Sequence, residues 1–180
     1  MVERGFSKFS AREAARRSGY TVGSIYNVFG SLDAYILAIN TVTLTSFADW
    51  MHKVMAKCSF GEDRIRCLVE GYFGFAEANT NAWMALYDHR RPEQVVLEDA
   101  DITERVKLTA IIDREVAAAL GRDVDGESKR LARSLIAIVH GHCVLALTGN
   151  FALMNERDPL ALAVARVKES IEMGRVASVG

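Results

Sequence analysis

Helical periodicity runs almost unbroken through this chain, and only two prolines, Pro92 and Pro159, stand in its way. Proline ends helices because it lacks an N–H and clashes with the preceding turn. With so few breakers and no convincing strand, the expected fold class is all-α. Half of the residues are apolar and a quarter are charged, which supplies a core and excludes disorder as the dominant state. The longest apolar run, Ser134 to Phe151, carries His140, Gly141 and His142 at its middle. It reads as a buried helix, not a membrane span, and no membrane partner is expected. The first residues contain no apolar signal segment. Cys58, Cys67 and Cys143 show no Cys-x-x-Cys spacing, so neither a disulfide framework nor structural zinc is expected, Cys67 and Cys143 read as small core residues, and a reducing, cytoplasmic setting fits best.

Local signals divide the chain into helices. Ser10 and Glu13 have the spacing of a capping box, and Gly19 can adopt the left-handed conformation that stops the helix they open. A short helix follows from Val22 to about Phe29, then Gly30 and Ser31 punctuate before a long helix to about Lys57. Gly61 is expected to start another, interrupted by Asn79-Thr80-Asn81, with a short helix from Ala82 to about His89. Arg91-Pro92 predicts a bend. Asp101 and Glu104 have capping-box spacing, opening a helix whose apolar face runs from Ile102 and Val106 to Leu120. A polar turn, Gly121 to Gly126, precedes a helix over 128–148 that is apolar nearly all round in its second half and is therefore expected to be buried on more than one side. Asp158-Pro159 supplies an N-cap and a first-turn proline for the last helix.

Residues 9–35 carry the most information. Two short helices joined by a Gly-containing turn make a helix-turn-helix. Ala14 and Ala15 are small enough for a close crossing, and Val22, Ile25 and Phe29 fill the junction. The opposite face of the second helix presents Thr21, Gly23, Ser24, Tyr26 and Asn27, which are short or hydrogen-bonding and uncharged. Such a face can enter a major groove and approach base edges. Tyr26 lies about 100° from Ile25 around the helix, off the apolar face, where its hydroxyl can meet a phosphate. Ser10 and Arg12 open the first helix, where N–H groups and a guanidinium suit phosphate. Residues 1–40 carry five basic and three acidic side chains, whereas the remainder is net acidic at −3. A basic head on an acidic body permits nucleic-acid contact at one end.

Ser10, Ala15, Gly19, Gly23, Ile25, Tyr26, Phe29 and Gly30-Ser31 resemble the DNA-binding signature of TetR-type transcriptional regulators, a helix of form Thr-x-x-x-Ile-Ala followed by Ala-Gly-Val-Ser-x-Gly-x-Leu-Tyr-x-x-Phe. Trp83-Met-Ala-Leu-Tyr and His140-Gly141 are similar to the tryptophan and His-Gly features of one effector-domain subgroup. The resemblance implies a homodimer that binds a palindromic operator and releases it when a small ligand occupies the C-terminal part. The chain departs from the pattern at Leu32, where the family has a phosphate-contacting lysine, at Val28 for an aromatic or histidine, and at Ala14 for isoleucine. Only Met1 to Arg4 precede the Gly5 that would end the family's first helix. The expectation is a chain trimmed at its N-terminus, since an incomplete three-helix unit would expose the apolar face around Phe6, Phe9 and Ile25.

The interior reads as aromatic and Met-rich. Phe47, Trp50, Met51, Phe73, Trp83, Met84 and Tyr87 suit either a plain core or a cavity for an apolar ligand, with His140, Tyr72 and Tyr87 as orienting polar groups. Asp113 is a further candidate, as pocket group or ion-pair partner. His140 and His142 stand about 200° apart on a helix and cannot share one ion, so no metal is expected. Asp88-His89-Arg90-Arg91 reads as a solvated helix end. No cofactor is expected, and no phosphate loop, nucleophile elbow or carboxylate pair marks an enzyme. The expected organisation is a helix-turn-helix over 1–35 and a helical effector-binding and dimerisation domain over 36–180. DNA-contacting candidates are Ser10, Arg12, Thr21, Val22, Gly23, Ser24, Tyr26 and Asn27. Ligand-binding candidates are Phe47, Met51, Tyr72, Phe73, Trp83, Met84, Tyr87 and His140. Ala137, Gly141, Leu145, Val164, Val167 and Ile171 are the candidate dimer interface. Expected partners are a double-stranded operator, a small apolar or aromatic effector and a second copy of the chain, in a repressor. The alternative is a dimeric small-molecule-binding protein without DNA binding.

Overall fold

In a computed structural model of the chain, residues 10–59, 63–88 and 99–177 are described, apart from the side chains of residues 100, 101 and 177. The expectations placed on residues 1–9, on Gly61, and on His89 to Pro92 lie outside them. The described residues form nine helices and no strand: α1 Ala11–Arg17, α2 Val22–Phe29, α3 Leu32–Lys57, α4 Arg64–Ala78, α5 Thr80–Asp88, α6 Asp99–Leu120, α7 Gly126–Leu147, α8 Asn150–Leu153 and α9 Pro159–Ala177.

Side-chain caps set most of these boundaries. Ser10 accepts from the Glu13 N–H at 3.4 Å, Thr21 from Ser24 at 3.2 Å, Ser31 from Ala34 at 3.0 Å, and Asp158 from Ala161 at 2.9 Å. Each satisfies an N–H that the first turn leaves unpaired, worth about 1 kcal/mol. At α7 the box is complete: Asp125 accepts from the Ser128 N–H at 2.7 Å, and Ser128 Oγ accepts from the Asp125 N–H at 2.9 Å. The box expected at Ser10 is half made, because the Glu13 carboxylate turns instead to Arg16 and Arg17. Asp101 is no cap, since α6 already begins at Asp99. Likewise α4 starts at Arg64, capped by Asp63.

α1 and α2 form a small head that reaches the remaining helices through α3. Gly30, at φ +73, turns α2 into α3 with a bend of 80°. The expected domain boundary at residue 35 falls inside the continuous α3. Below it, α3 packs on α4 and α6, α7 on α6 and α9, and α4 on α9. Phe47, Met51, Tyr72, Trp83, Val116, Val139, Cys143 and Val167 are among the side chains buried between them. Each large apolar side chain so buried contributes roughly 1.5–3 kcal/mol.

Two expectations need correction. Cys58 and Cys67 form a disulfide, because the chain doubles back between α3 and α4 and brings their Cα atoms to 6.4 Å; only Cys143 is a free, buried thiol. Ile102 and Val106 remain exposed, so the apolar face of α6 meets the core only from Leu108 onward. On α7, Ala132, Leu135, Val139 and Cys143 are buried and Ala137 is exposed, while every residue from Ile138 to Leu147 is buried or half-buried, in line with the expectation for its second half. α7 is also the one described helix long and apolar enough by itself to cross a membrane.

Candidate nucleic-acid interface and interior cavity

The head presents α2 by its own local chemistry. Ile25 is buried against α1 and α3, and Val22 and Phe29 are half-buried beside it. Thr21, Gly23, Tyr26 and Asn27 are exposed, and Ser24 is half-buried with its hydroxyl 3.0 Å from that of Thr21. A Cβ at Gly23 would meet only the Thr21 hydroxyl, at 3.5 Å, so the backbone is open to close approach. Ser10 and Arg12 are exposed at the start of α1. Behind them Glu13 draws both Arg16 and Arg17, and these guanidiniums lower its carboxyl to a pKa of about 2. Part of the head's positive charge is thereby neutralised. Leu32 is half-buried at the first turn of α3. A groove of about 420 Å³ runs along the head past Ala14, Tyr20, Val28 and Tyr35.

Within the helical body, residues of α3, α4, α6, α7 and α9 line a second space. Phe47, Met51, Tyr72, Ile112, Val116 and Val139 are among its walls, and its volume is about 30 Å³, room for about one water molecule. The wall is apolar apart from Tyr72. Of the eight ligand-binding candidates, Phe47, Met51 and Tyr72 line this cavity; Phe73 is buried in the core and Met84 half-buried beside it.

The other three gather round the Tyr72 hydroxyl. Tyr72 Oη lies 3.1 Å from His140 Nδ1 and 3.3 Å from Tyr87 Oη. The His140 ring sits 4.9 Å from Trp83 and 4.1 Å from Tyr87. Burial holds the Tyr72 hydroxyl well above its ordinary pKa and pushes the His140 imidazole below its ordinary 6.5, so both are neutral at pH 7. Tyr87 is half-exposed although its hydroxyl points inward. Asp113 is half-buried.

His142 goes elsewhere, with Nδ1 2.8 Å from Ile138 O and its ring against Phe151. Among the described residues no three His, Cys, Asp or Glu side chains form a metal-binding group. The α9 stripe requires a correction: Val164, Val167 and Ile171 are buried in the protomer's own core, because α9 already packs on α4, α6 and α7. They are not a free surface. Ala137, Gly141 and Leu145 do face outward in part.

The sequence reading missed the buried carboxylate, Glu115. Arg64 clamps it with two bonds, Nε to Oε2 at 2.7 Å and Nη2 to Oε1 at 2.8 Å, and also donates to Cys58 O at 3.0 Å. Nothing local signals a pair 51 residues apart; a glutamate on an apolar helix face is the only hint.

Solved structures that share this fold include two of note. One is a protein of unknown function from Rhodococcus sp. RHA1, with a TM-score of 0.72 and 18% identity, covering 94% of this chain and 86% of that one. The other is the candidate regulatory protein SCO4313, with a TM-score of 0.69 and 20% identity, covering 93% and 87% respectively. At these identities the likeness is one of fold. No curated protein sequence matches the chain significantly. Residues 65–167 match the family model described as the tetracyclin repressor-like C-terminal domain. That match spans more than half of the chain, from α4 into α9, and the chain therefore belongs to the tetracycline-repressor-like family of transcription regulators.

Proposed function

We propose that the chain is a ligand-responsive repressor that binds a palindromic operator as a homodimer and leaves it when a small apolar effector enters the interior cavity. The observation that carries this reading is α2. An uncharged, hydrogen-bonding face is held outward by a buried Ile25, at the end of a lever that also walls the cavity. Thr21, Gly23, Ser24, Tyr26 and Asn27 approach base edges and the flanking phosphates, with Ser10 and Arg12 on the backbone. Residues 1–35 serve as the DNA-binding unit and the remainder as the effector unit.

Coupling follows from the cavity's size. Ligand pockets usually measure about 300–1,000 Å³, far above the 30 Å³ present here. An effector can enter only by moving the walls, Phe47 and Met51 of α3 among them. α3 joins the head to the body, so displacing it re-aims α2. A ligand that prefers the opened state shifts the population away from the spacing that DNA requires.

Selection of bound sequences from a random duplex pool tests the proposal. Enrichment of a two-half-site palindrome, lost when Tyr26 and Asn27 are both replaced by alanine, is the expected result. Failure to enrich any sequence sinks it. Leu32 favours a second reading, a small-molecule-binding dimer without DNA contact, because an apolar residue stands where a phosphate-binding lysine would serve. That reading predicts ligand binding with no enrichment.

A further inference from the structure

The cluster around Tyr72 has one hydrogen-bonding group left over. Trp83 is wholly buried, and its indole N–H, which can only donate, meets no acceptor. It faces Tyr72 edge-on with ring centroids 5.9 Å apart, near enough to the Tyr72 hydroxyl to favour its ionised form slightly, but too far for a hydrogen bond to close. Trp50 provides the contrast: its Nε1 donates to Gly71 O at 2.9 Å. A buried donor without an acceptor is disfavoured, and native interiors seldom tolerate one without a reason.

Tyr72 links this cluster to the cavity, since its ring forms part of the cavity wall while its hydroxyl anchors the polar group. At the other end the half-exposed Tyr87 ring brings the cluster to the surface. No Lys, Arg, Asp or Glu lines the cavity, and Arg105, whose charge acts on the Tyr87 hydroxyl, stands outside its wall. An ionised ligand group would therefore lose its water without gaining a countercharge. A pure hydrocarbon would fill the space and leave the indole unmet. Met51 and Phe47 supply the movable apolar remainder of the wall.

We propose that the Trp83–Tyr72–His140–Tyr87 cluster is the polar end of the ligand site, and that its ligand is uncharged, largely apolar or aromatic, and carries one hydrogen-bond acceptor that takes the Trp83 N–H. This rests on the cavity being an effector site and narrows the class of effector. A carbonyl, an ether or a ring nitrogen meets the requirement.

The test is titration of the full chain with acetophenone, cumene and benzoate, three probes of similar size. The indole N–H signals of Trp83 and Trp50 are followed by NMR and assigned with Trp50→Phe. Acetophenone is expected to bind about tenfold more tightly than cumene, the order of effect of meeting one buried donor. It should shift the Trp83 signal downfield and leave that of Trp50 in place. Benzoate should bind more weakly than either. Trp83→Phe should erase the preference while keeping cumene binding, and where that variant does not fold, the wild-type signal decides. Equal affinity for acetophenone and cumene with an unmoved Trp83 signal overturns the inference and leaves the cavity reading intact. Absence of binding by both overturns the cavity reading as well. Preference for benzoate overturns the uncharged class.

Discussion

Glu115 shows how a single residue ties the body together. It is 5% exposed, and a carboxylate so placed needs partners, or burial favours its neutral form. Arg64 supplies them, with two direct bonds from the start of α4 to α6. This hydrogen bonding outweighs burial and holds the carboxyl below its ordinary 4.5. Removing the guanidinium leaves the buried carboxylate only the longer, solvent-exposed contact from Arg114 at 3.3 Å, so Arg64→Met is expected to lose about 2 kcal/mol of stability, read as a lower urea midpoint at unchanged slope. The sign with pH follows. A depressed carboxyl stabilises the fold above pH 4.5, and that contribution fades as pH falls below 4.5 toward the folded-state value. The difference between wild type and Arg64→Met should therefore be full at pH 7 and shrink below pH 4.5. A difference constant from pH 7 to pH 3 would show that the pair is not electrostatic in effect. Residue-scale chemistry of this kind was poorly legible beforehand. Tyr72, Trp83, Tyr87 and His140 were recognisable as polar or aromatic candidates, but their convergence on one hydroxyl depends on how α4, α5 and α7 cross. No local spacing encodes that crossing.

At the scale of elements the head was legible nearly to the residue, because its boundaries are written in local chemistry. Thr21 and Ser31 cap the helices that follow them, and Gly19 and Gly30 take the positive φ that ends the helices before them. Where a boundary depends on tertiary packing the reading slipped, as at the start of α6, or inverted, as on α9. An apolar stripe at i, i+4 and i+7 reports that a face is covered and says nothing of whose atoms cover it. Gly30 then carries an element-level prediction. Its φ of +73 sets the 80° corner between α2 and α3, and no atom would obstruct an added Cβ. Gly30→Ala therefore strains only the backbone, by about 1 kcal/mol. The expected result is a small fall in melting temperature, about 2–4 °C for a chain of this size, with a larger proportional loss of duplex affinity. Equal affinity alongside a lowered melting point would mean that the corner does not set the aim of α2.

For the whole molecule, the proposed dimer turns on the outer face of α7. Inside one protomer that face is nearly unburdened: Ala137 is exposed, and a Cβ at Gly141 would meet nothing within 4 Å. Two substitutions separate folding from pairing. Gly141→Ala replaces a helix-interior glycine and should raise the stability of an isolated protomer by up to about 1 kcal/mol. If two α7 helices cross closely at this point, the added methyl group pushes them apart and dimer affinity falls even as the protomer gains. Ala137→Glu sits on open surface and should change protomer stability by no more than about 0.5 kcal/mol. In a two-fold interface it places two carboxylates face to face, and dissociation follows at micromolar concentration. Light scattering on the wild type should give a dimer and on Ala137→Glu a monomer of unchanged helicity. That monomer should bind a single half-site weakly and the full palindrome no better. A persistent Ala137→Glu dimer would move the interface off α7. The exposed Leu153 at the end of α8 and Met154 just after it would then be the next surface to alter.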